Sequence, residues 1–189
     1  MSGIFERKSE RMSDTGFKIM TFIFKIVDLF IPYINNRINT FNIQEGMTVV
    51  DYGCGPGRYS IPFSRKVGPD GKVFALDIHP MAIKAVDRKA DNLNIKNIET
   101  VLVKGNDDGK YDTKLNDGSG DIVCALDMFF IIKKPVEFLK EIHRILKNSG
   151  ILIIDDGHQP RKITKEKLEA FDRFEIIEET KDHIKLKKI

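Results

Sequence analysis

The sequence predicts an α/β protein built on a doubly wound, mostly parallel sheet with helices on both faces. Three observations predict it. Short apolar runs alternate along the chain with segments whose apolar residues recur at helical intervals. The first run, Thr48–Tyr52, enters a loop carrying Gly53, Gly55 and Gly57, where the backbone can take positive φ and a ligand can approach without meeting a Cβ. The second run, Lys72–Asp77, ends in a carboxylate about twenty residues beyond the last of these glycines, the spacing at which a ribose hydroxyl pair is held. Strands separated by helices at this period pair in parallel through right-handed crossovers.

Residues 1–16 carry no sustained apolar period and no signal-peptide core, so they read as a mobile start with no export implied. Residues 17–31 are the most apolar segment, but Lys25 and Asp28 interrupt it and Pro32 closes it short of a membrane span. Ile19, Ile23, Ile26 and Phe30 recur at helical intervals, which predicts an amphipathic helix. Packing on the sheet is the plain reading of that stripe. A lid over a site, or a surface for a lipid-like ligand, is the alternative. A linker follows at 35–40, then the first strand. The next helix should cover Tyr59–Val67, with Pro62 in its first turn. Gly68–Gly71 is a dense turn signal leading to the second strand.

His79-Pro80 opens a helix with apolar Met81, Ile83, Val86 and Ala90, and the third strand is short, Ile98–Val103. Residues 105–109 are a polar turn, and 111–120 should hold only a loop or a short helix. Asp121–Asp127 reads as a central buried strand, continued by the apolar Phe129–Ile132. Pro135 begins a helix with a core stripe through Phe138, Leu139, Ile142 and Leu146, which Asn148-Ser149-Gly150 should end. Ile151–Asp155 is the fifth strand. Glu166–Phe171 suits one helix, and Phe174–Glu178 with His183–Lys187 alternates like a hairpin pair.

The 189 residues suit one domain with a sizeable core. A formal charge of +3 gives no electrostatic footprint for nucleic acid. Cys54 and Cys124 are the only cysteines, so a disulfide framework is not expected, a reducing cytosol is, and no zinc spacing is present.

The glycine loop decides the ligand class. A dinucleotide fingerprint spaces its glycines G-x-G-x-x-G, whereas this loop reads G-x-G-x-G behind Asp51. An acidic residue at that mouth repels a pyrophosphate and suits an amino-acid ammonium. With Asp77, the loop asks for a nucleoside joined to a positively charged amino acid.

Val49–Gly57 resembles motif I of the class I S-adenosylmethionine-dependent methyltransferases, and Val73–Ile78 resembles their following acidic motif. The likeness extends from about Phe41 to Asp155. It implies a Rossmann-like, seven-stranded sheet closed by an antiparallel strand pair, with S-adenosyl-L-methionine at the C-terminal edge of strands one to four. Tyr52, Gly53, Gly55 and Gly57 would then admit the methionyl and ribose parts, and Asp51 would act on the ammonium through water or backbone polarisation. Asp77 would take the ribose hydroxyls and Ile78 would pack on the adenine, with Asn106 and Asp107 at its edge. Leu126 and Asp127 would line the region near the sulfonium. If the acceptor must lose a proton, Asp127 and His158 follow strands that end at the cleft and are the candidate bases.

Departures from family patterns narrow the acceptor. Asp127-Met128-Phe129-Phe130 lacks the two prolines of nucleobase and amide methylases. The branch resembling ubiquinone/menaquinone methylases often carries a histidine where Phe129 stands. Two cysteines are too few for arsenite methylation. These points imply a small-molecule acceptor, apolar or aromatic, with no nucleic acid and no membrane span. The competing readings are a catalytically silent cofactor-binding scaffold with the same fold and an NAD-dependent oxidoreductase.

Overall fold

A computed structural model describes residues 10–30, 33–104 and 111–189. Among them seven strands form one sheet: β1 (Thr48–Tyr52), β2 (Lys72–Asp77), β3 (Ile98–Leu102), β4 (Gly120–Ala125), β5 (Leu146–Ile154), β6 (Phe174–Glu179) and β7 (Ile184–Lys188). Their spatial order is β3-β2-β1-β4-β5-β7-β6. The first five run parallel, while β7 lies antiparallel to β5 and to β6. Winding therefore reverses between β1 and β4, which opens a crevice beyond the carboxyl ends of those strands.

Among the described residues six α-helices accompany the sheet: α1 (Asp14–Phe30), α2 (Tyr33–Asn39), α3 (Ser60–Val67), α4 (Pro80–Asn92), α5 (Pro135–Ile145) and α6 (Arg161–Glu169). Side chains of β1 alternate between two cores, as strand pleating requires. Val50 and Tyr52 join Phe138, Leu139 and Ile142 of α5, while Val49 joins Phe63 and Val67 of α3 with Ile34 and Ile38 of α2. Both faces of the parallel sheet are thereby covered, so its strands read as continuous apolar runs.

Several boundaries differ from expectation. The 35–40 linker is helical: α2 buries Ile34 and Ile38, four apart, on the sheet. Helix α5 stops at Ile145, because Leu146 already pairs with Gly120, and β5 runs through Asn148-Ser149-Gly150 with a register shift against β4. Helix α6 starts at Arg161, where Pro160 supplies a fixed φ of −62° just ahead of the first turn. The expected mobile start is anchored from Glu10 onward, where Tyr111 Oη and the Lys133 N–H both donate to its carboxylate; residues 1–9 lie outside the described residues.

The helix predicted over 17–31 forms, but its stripe does not pack on the sheet. Ile19, Ile23 and Ile26 are 57%, 50% and 45% exposed. The helix instead buries Phe17 against His79, ring centroids 4.6 Å apart, and lays Phe24 over the Arg58 guanidinium at 4.6 Å. Among the described residues no helix is long and apolar enough to cross a membrane.

Candidate functional site

A cleft of about 800 Å³ lies at the switch point, within the range of small-ligand sites. Its floor comes from the ends of three strands: Tyr52 and Gly53 after β1, Asp77 and Ile78 after β2, Asp127 and Met128 after β4. Helix α1 walls it with Ile19, Met20, Ile23 and Phe24. A more open depression of about 920 Å³ lies at the opposite end of β2 and β3, but it gathers no comparable set. Its Asn97 side chain is spent on the carbonyls of Ser64 and Gly68.

The glycine loop takes left-handed backbone at Gly53, Gly55 and Gly57, with φ of +79°, +50° and +78°. A Cβ at Gly53 would meet Met128 Cγ at 2.8 Å, and one at Gly57 would meet Val86 Cγ2 at 3.1 Å. Beside Gly55 nothing lies within 4 Å. Asp77 stands next to that space: the Gly55 N–H donates to its Oδ2 at 2.9 Å and the His79 N–H to its Oδ1 at 2.8 Å. Burial holds the Asp77 carboxyl above its ordinary value, and those two N–H groups pull it back. Ile78 is half-buried in the cleft wall, packed on the main core.

Two expected residues lie elsewhere. Asp51 does not face the cleft: its side chain turns under the loop, where Ser60 Oγ donates to it at 2.5 Å. Burial pushes its carboxyl up to about 7 against that hydrogen bond, with the charges of Asp77 and Asp127 adding to the push. Leu126 points away into the α2–α3 core, 3% exposed, with Tyr59, Phe63 and Ile153. The strand ends at Ala125, and the turn that follows, with Asp127 in left-handed backbone, brings Asp127 and not Leu126 to the cleft. Asn106 and Asp107 lie outside the described residues.

Asp127 is the most constrained residue of the floor. It is one of four non-glycine residues in left-handed backbone among those described, at φ +57°. Its N–H donates to both carboxylate oxygens of Asp155, each at 2.9 Å. Its own carboxylate accepts from Tyr59 Oη at 3.3 Å and lies 3.9 Å from both Arg37 Nη1 and Arg58 Nη1. Beneath it, Arg37 donates to Asp155 at 2.7 Å, to Tyr59 Oη at 2.6 Å and to the Asp182 carbonyl at 2.8 Å. Burial, then the charge of Asp127, raises the Asp155 carboxyl to about 6, with Arg37 opposing. Burial and Asp127 likewise push the Tyr59 phenol well up, so its proton stays in place.

Sequence reasoning missed Arg37, Tyr59 and Asp155. Their shared signal was weak: an arginine inside the Ile34–Ile38 helical repeat, and two polar residues at the edges of apolar runs. His158 sits at the rim, exposed and edge-on to Phe130 at 5.0 Å. Among the described residues no group of three His, Cys, Asp or Glu side chains is arranged to hold a metal ion.

A Rossmann-like sheet with an open glycine loop at its switch point and a carboxylate at the end of the second strand defines the fold of the class I S-adenosylmethionine-dependent methyltransferases. A family profile described as a methyltransferase domain matches residues 43–188, and the chain belongs to that family. It is 29% identical over 119 residues to a demethylmenaquinone methyltransferase of Geobacillus stearothermophilus, covering 63% of this chain and 49% of that one. A protein of the same name from Listeria welshimeri is 27% identical over 132 residues, covering 70% and 54%. The chain thus spans about half the length of these curated relatives. Among solved structures, a SAM-dependent methyltransferase from Aquifex aeolicus superposes with a TM-score of 0.69 at 25% identity, covering 94% of this chain and 98% of the other. A putative S-adenosyl-L-methionine-dependent methyltransferase from Methanococcus maripaludis gives the same TM-score at 20% identity, covering 100% and 96%.

Proposed function

We propose that this protein transfers a methyl group from S-adenosyl-L-methionine to a small apolar acceptor. The observation that carries the reading is the pairing of Asp77 with the free space at Gly55. A nucleoside sugar needs an accepting carboxylate next to backbone with no side chain in its way, and the two stand side by side. When bound, the cofactor supplies an activated methyl on a sulfonium. Asp77 would accept from the ribose hydroxyls, Ile78 would pack on the base, and the glycine loop would admit the chain that joins sugar to amino acid.

The protein's own contribution is positioning and exclusion of water. Orienting two reactants in a closed site lowers a barrier by about 7–11 kcal/mol in favourable cases, so no strong base is required. Where an acceptor does release a proton, Asp127 and His158 are candidate bases among the groups that line the cleft. An apolar acceptor is supported by the wall of Ile19, Met20, Ile23 and Phe24 facing Phe130 and Ile131. The curated relatives, named for a quinone substrate, point the same way.

Calorimetry tests the cofactor. S-adenosylhomocysteine should bind the wild type, and Asp77→Ala should weaken it by about 10–100-fold, the worth of one or two charge-assisted hydrogen bonds. A wild type that does not bind overturns the reading. Transfer of labelled methyl from the cofactor into a lipid-soluble extract then separates an enzyme from a silent binder.

A further inference from the structure

Helix α1 carries apolar residues on two sides. One side meets the protein: Phe17 is buried on His79, Phe24 lies over Arg58 and Met20 lines the cleft. The other side is bare. Ile19, Phe22, Ile23 and Ile26 stand at i, i+3, i+4 and i+7, which makes them one stripe, and each is exposed, Phe22 most of all at 65%. They are four of the ten large apolar side chains exposed among the described residues, and no other described helix or strand carries more than two. Ile19 and Ile23 also line the cleft, so the oily surface outside and the oily wall inside are continuous.

Area, length and charge choose the occupant. With roughly 200 Å² on a large apolar side chain, four of them about half exposed leave ~400 Å², half of the ~800 Å² that each partner buries in a stable protein pair. A second copy of the chain would be held too weakly by the stripe. The 17 residues of α1 rise on the order of 25 Å, short of the ~30 Å hydrocarbon core, so the helix can lie along a bilayer but not through it. Exposed lysines border the stripe. Lys18 lies one turn before Phe22, and Lys133 and Lys134 follow Ile132 on the opposite lip of the cleft, where the Lys133 N–H meets Glu10. Of the acids nearby, Glu10 accepts from Tyr111 and that N–H, and Asp14 is paired with Arg11 at 3.0 Å. Isoleucines and a phenylalanine edged with lysines match an anionic lipid surface in both hydrophobicity and charge.

We propose that α1 docks the protein on an anionic bilayer. Ile19, Phe22, Ile23 and Ile26 sit among the acyl chains at its surface, and Lys18, Lys133 and Lys134 lie at the headgroups. A lipid-dissolved acceptor then enters the cleft along Ile19 and Ile23 without crossing water. That route rests on the methyltransferase reading; the docking surface does not.

Flotation of the full chain with phosphatidylcholine vesicles, with and without phosphatidylglycerol, tests the surface. Wild type should bind the mixed vesicles and bind the neutral ones several-fold more weakly. Phe22→Gln with Ile26→Gln, two positions outside the cleft lining, keeps good helix formers and should weaken binding to mixed vesicles by about tenfold or more. Lys18→Gln should weaken it by about fivefold. The affinity of the double variant for S-adenosylhomocysteine should stay within about twofold of wild type, which reports an intact fold. The chain has no tryptophan, so Phe22→Trp supplies a single reporter whose emission should shift to the blue on mixed vesicles. A wild type that stays in solution, or a double variant that binds as well as wild type, overturns the proposal. So does a wild-type dimer that the double variant loses, with no vesicle binding by either. Equal binding to neutral and mixed vesicles overturns the role of the lysines. A wild type that binds vesicles but not S-adenosylhomocysteine removes the methyltransferase reading, and the acceptor route with it, and leaves the docking surface in place.

Discussion

Asp51 shows how one side chain can carry the right motif and a different duty. Strand β1 sends Val50 and Tyr52 to one face and Asp51 to the other, where the first residue of α3, Ser60, meets it. The acid therefore braces the loop against the helix that follows. Because burial raises its carboxyl from 3.8 to about 7, the native state holds a proton there that the unfolded chain releases near 3.8. Its stabilising contribution is complete below that ordinary value and is lost as pH rises through about 7. Asp51→Asn should remove the loss. Urea unfolding at pH 5 and pH 8 should show the wild type falling behind the variant as pH rises, by an amount on the order of a few kcal/mol. A constant difference would mean that Asp51 is ionised throughout. At this scale the places of Gly55 and Asp77 beside each other at the cleft were legible, because backbone freedom and spacing along the chain set them. Arg37 was not, since the partner that explains it, Asp155, lies 118 residues away.

At the scale of elements, strands β1 to β5 could be read from apolar runs alone, with ends shifted by a residue or two except at β5, which begins at Leu146 rather than Ile151. What the pattern could not give was the destination of α1. A 3.6-residue apolar stripe says that a helix has an oily side, not what that side faces. Here the helix crosses the cleft mouth, held by Phe17 on His79 and Phe24 on Arg58, with Glu10 reaching Tyr111 and the Lys133 N–H on the far side. An element tied by a few ring contacts opens at lower cost than a strand with neighbours on both sides. Amide hydrogen exchange in residues 14–24 should therefore be faster than in β1 and β4, and should slow when S-adenosylhomocysteine fills the cleft. Unchanged exchange on binding would mean that α1 takes no part in ligand capture.

Across the whole molecule, the alternation of strands and helices predicted a parallel sheet, and the resemblance supplied its seven strands and closing antiparallel pair. Neither indicated that the two ends of the chain meet. Arg37 of α2 joins Asp155 to the carbonyl of Asp182 in the β6–β7 turn, and Lys185 of β7 donates to the Thr40 carbonyl. Ile34, Ile38 and Phe41 are buried against the sheet in the same place. These contacts have a consequence for where the fold can be cut. The family match starts at residue 43, and a chain trimmed to that point would strand the Asp155 carboxylate without its cation and bare an oily patch on the sheet. Removing one partner of a buried ion pair costs about 3–5 kcal/mol by itself. Such a trimmed chain should unfold at clearly lower urea than one starting at residue 10, and an equal midpoint would show that α2 is dispensable. By these contacts the fold should need residues upstream of the recognisable domain, in a helix that belongs as much to the last hairpin as to the first strand.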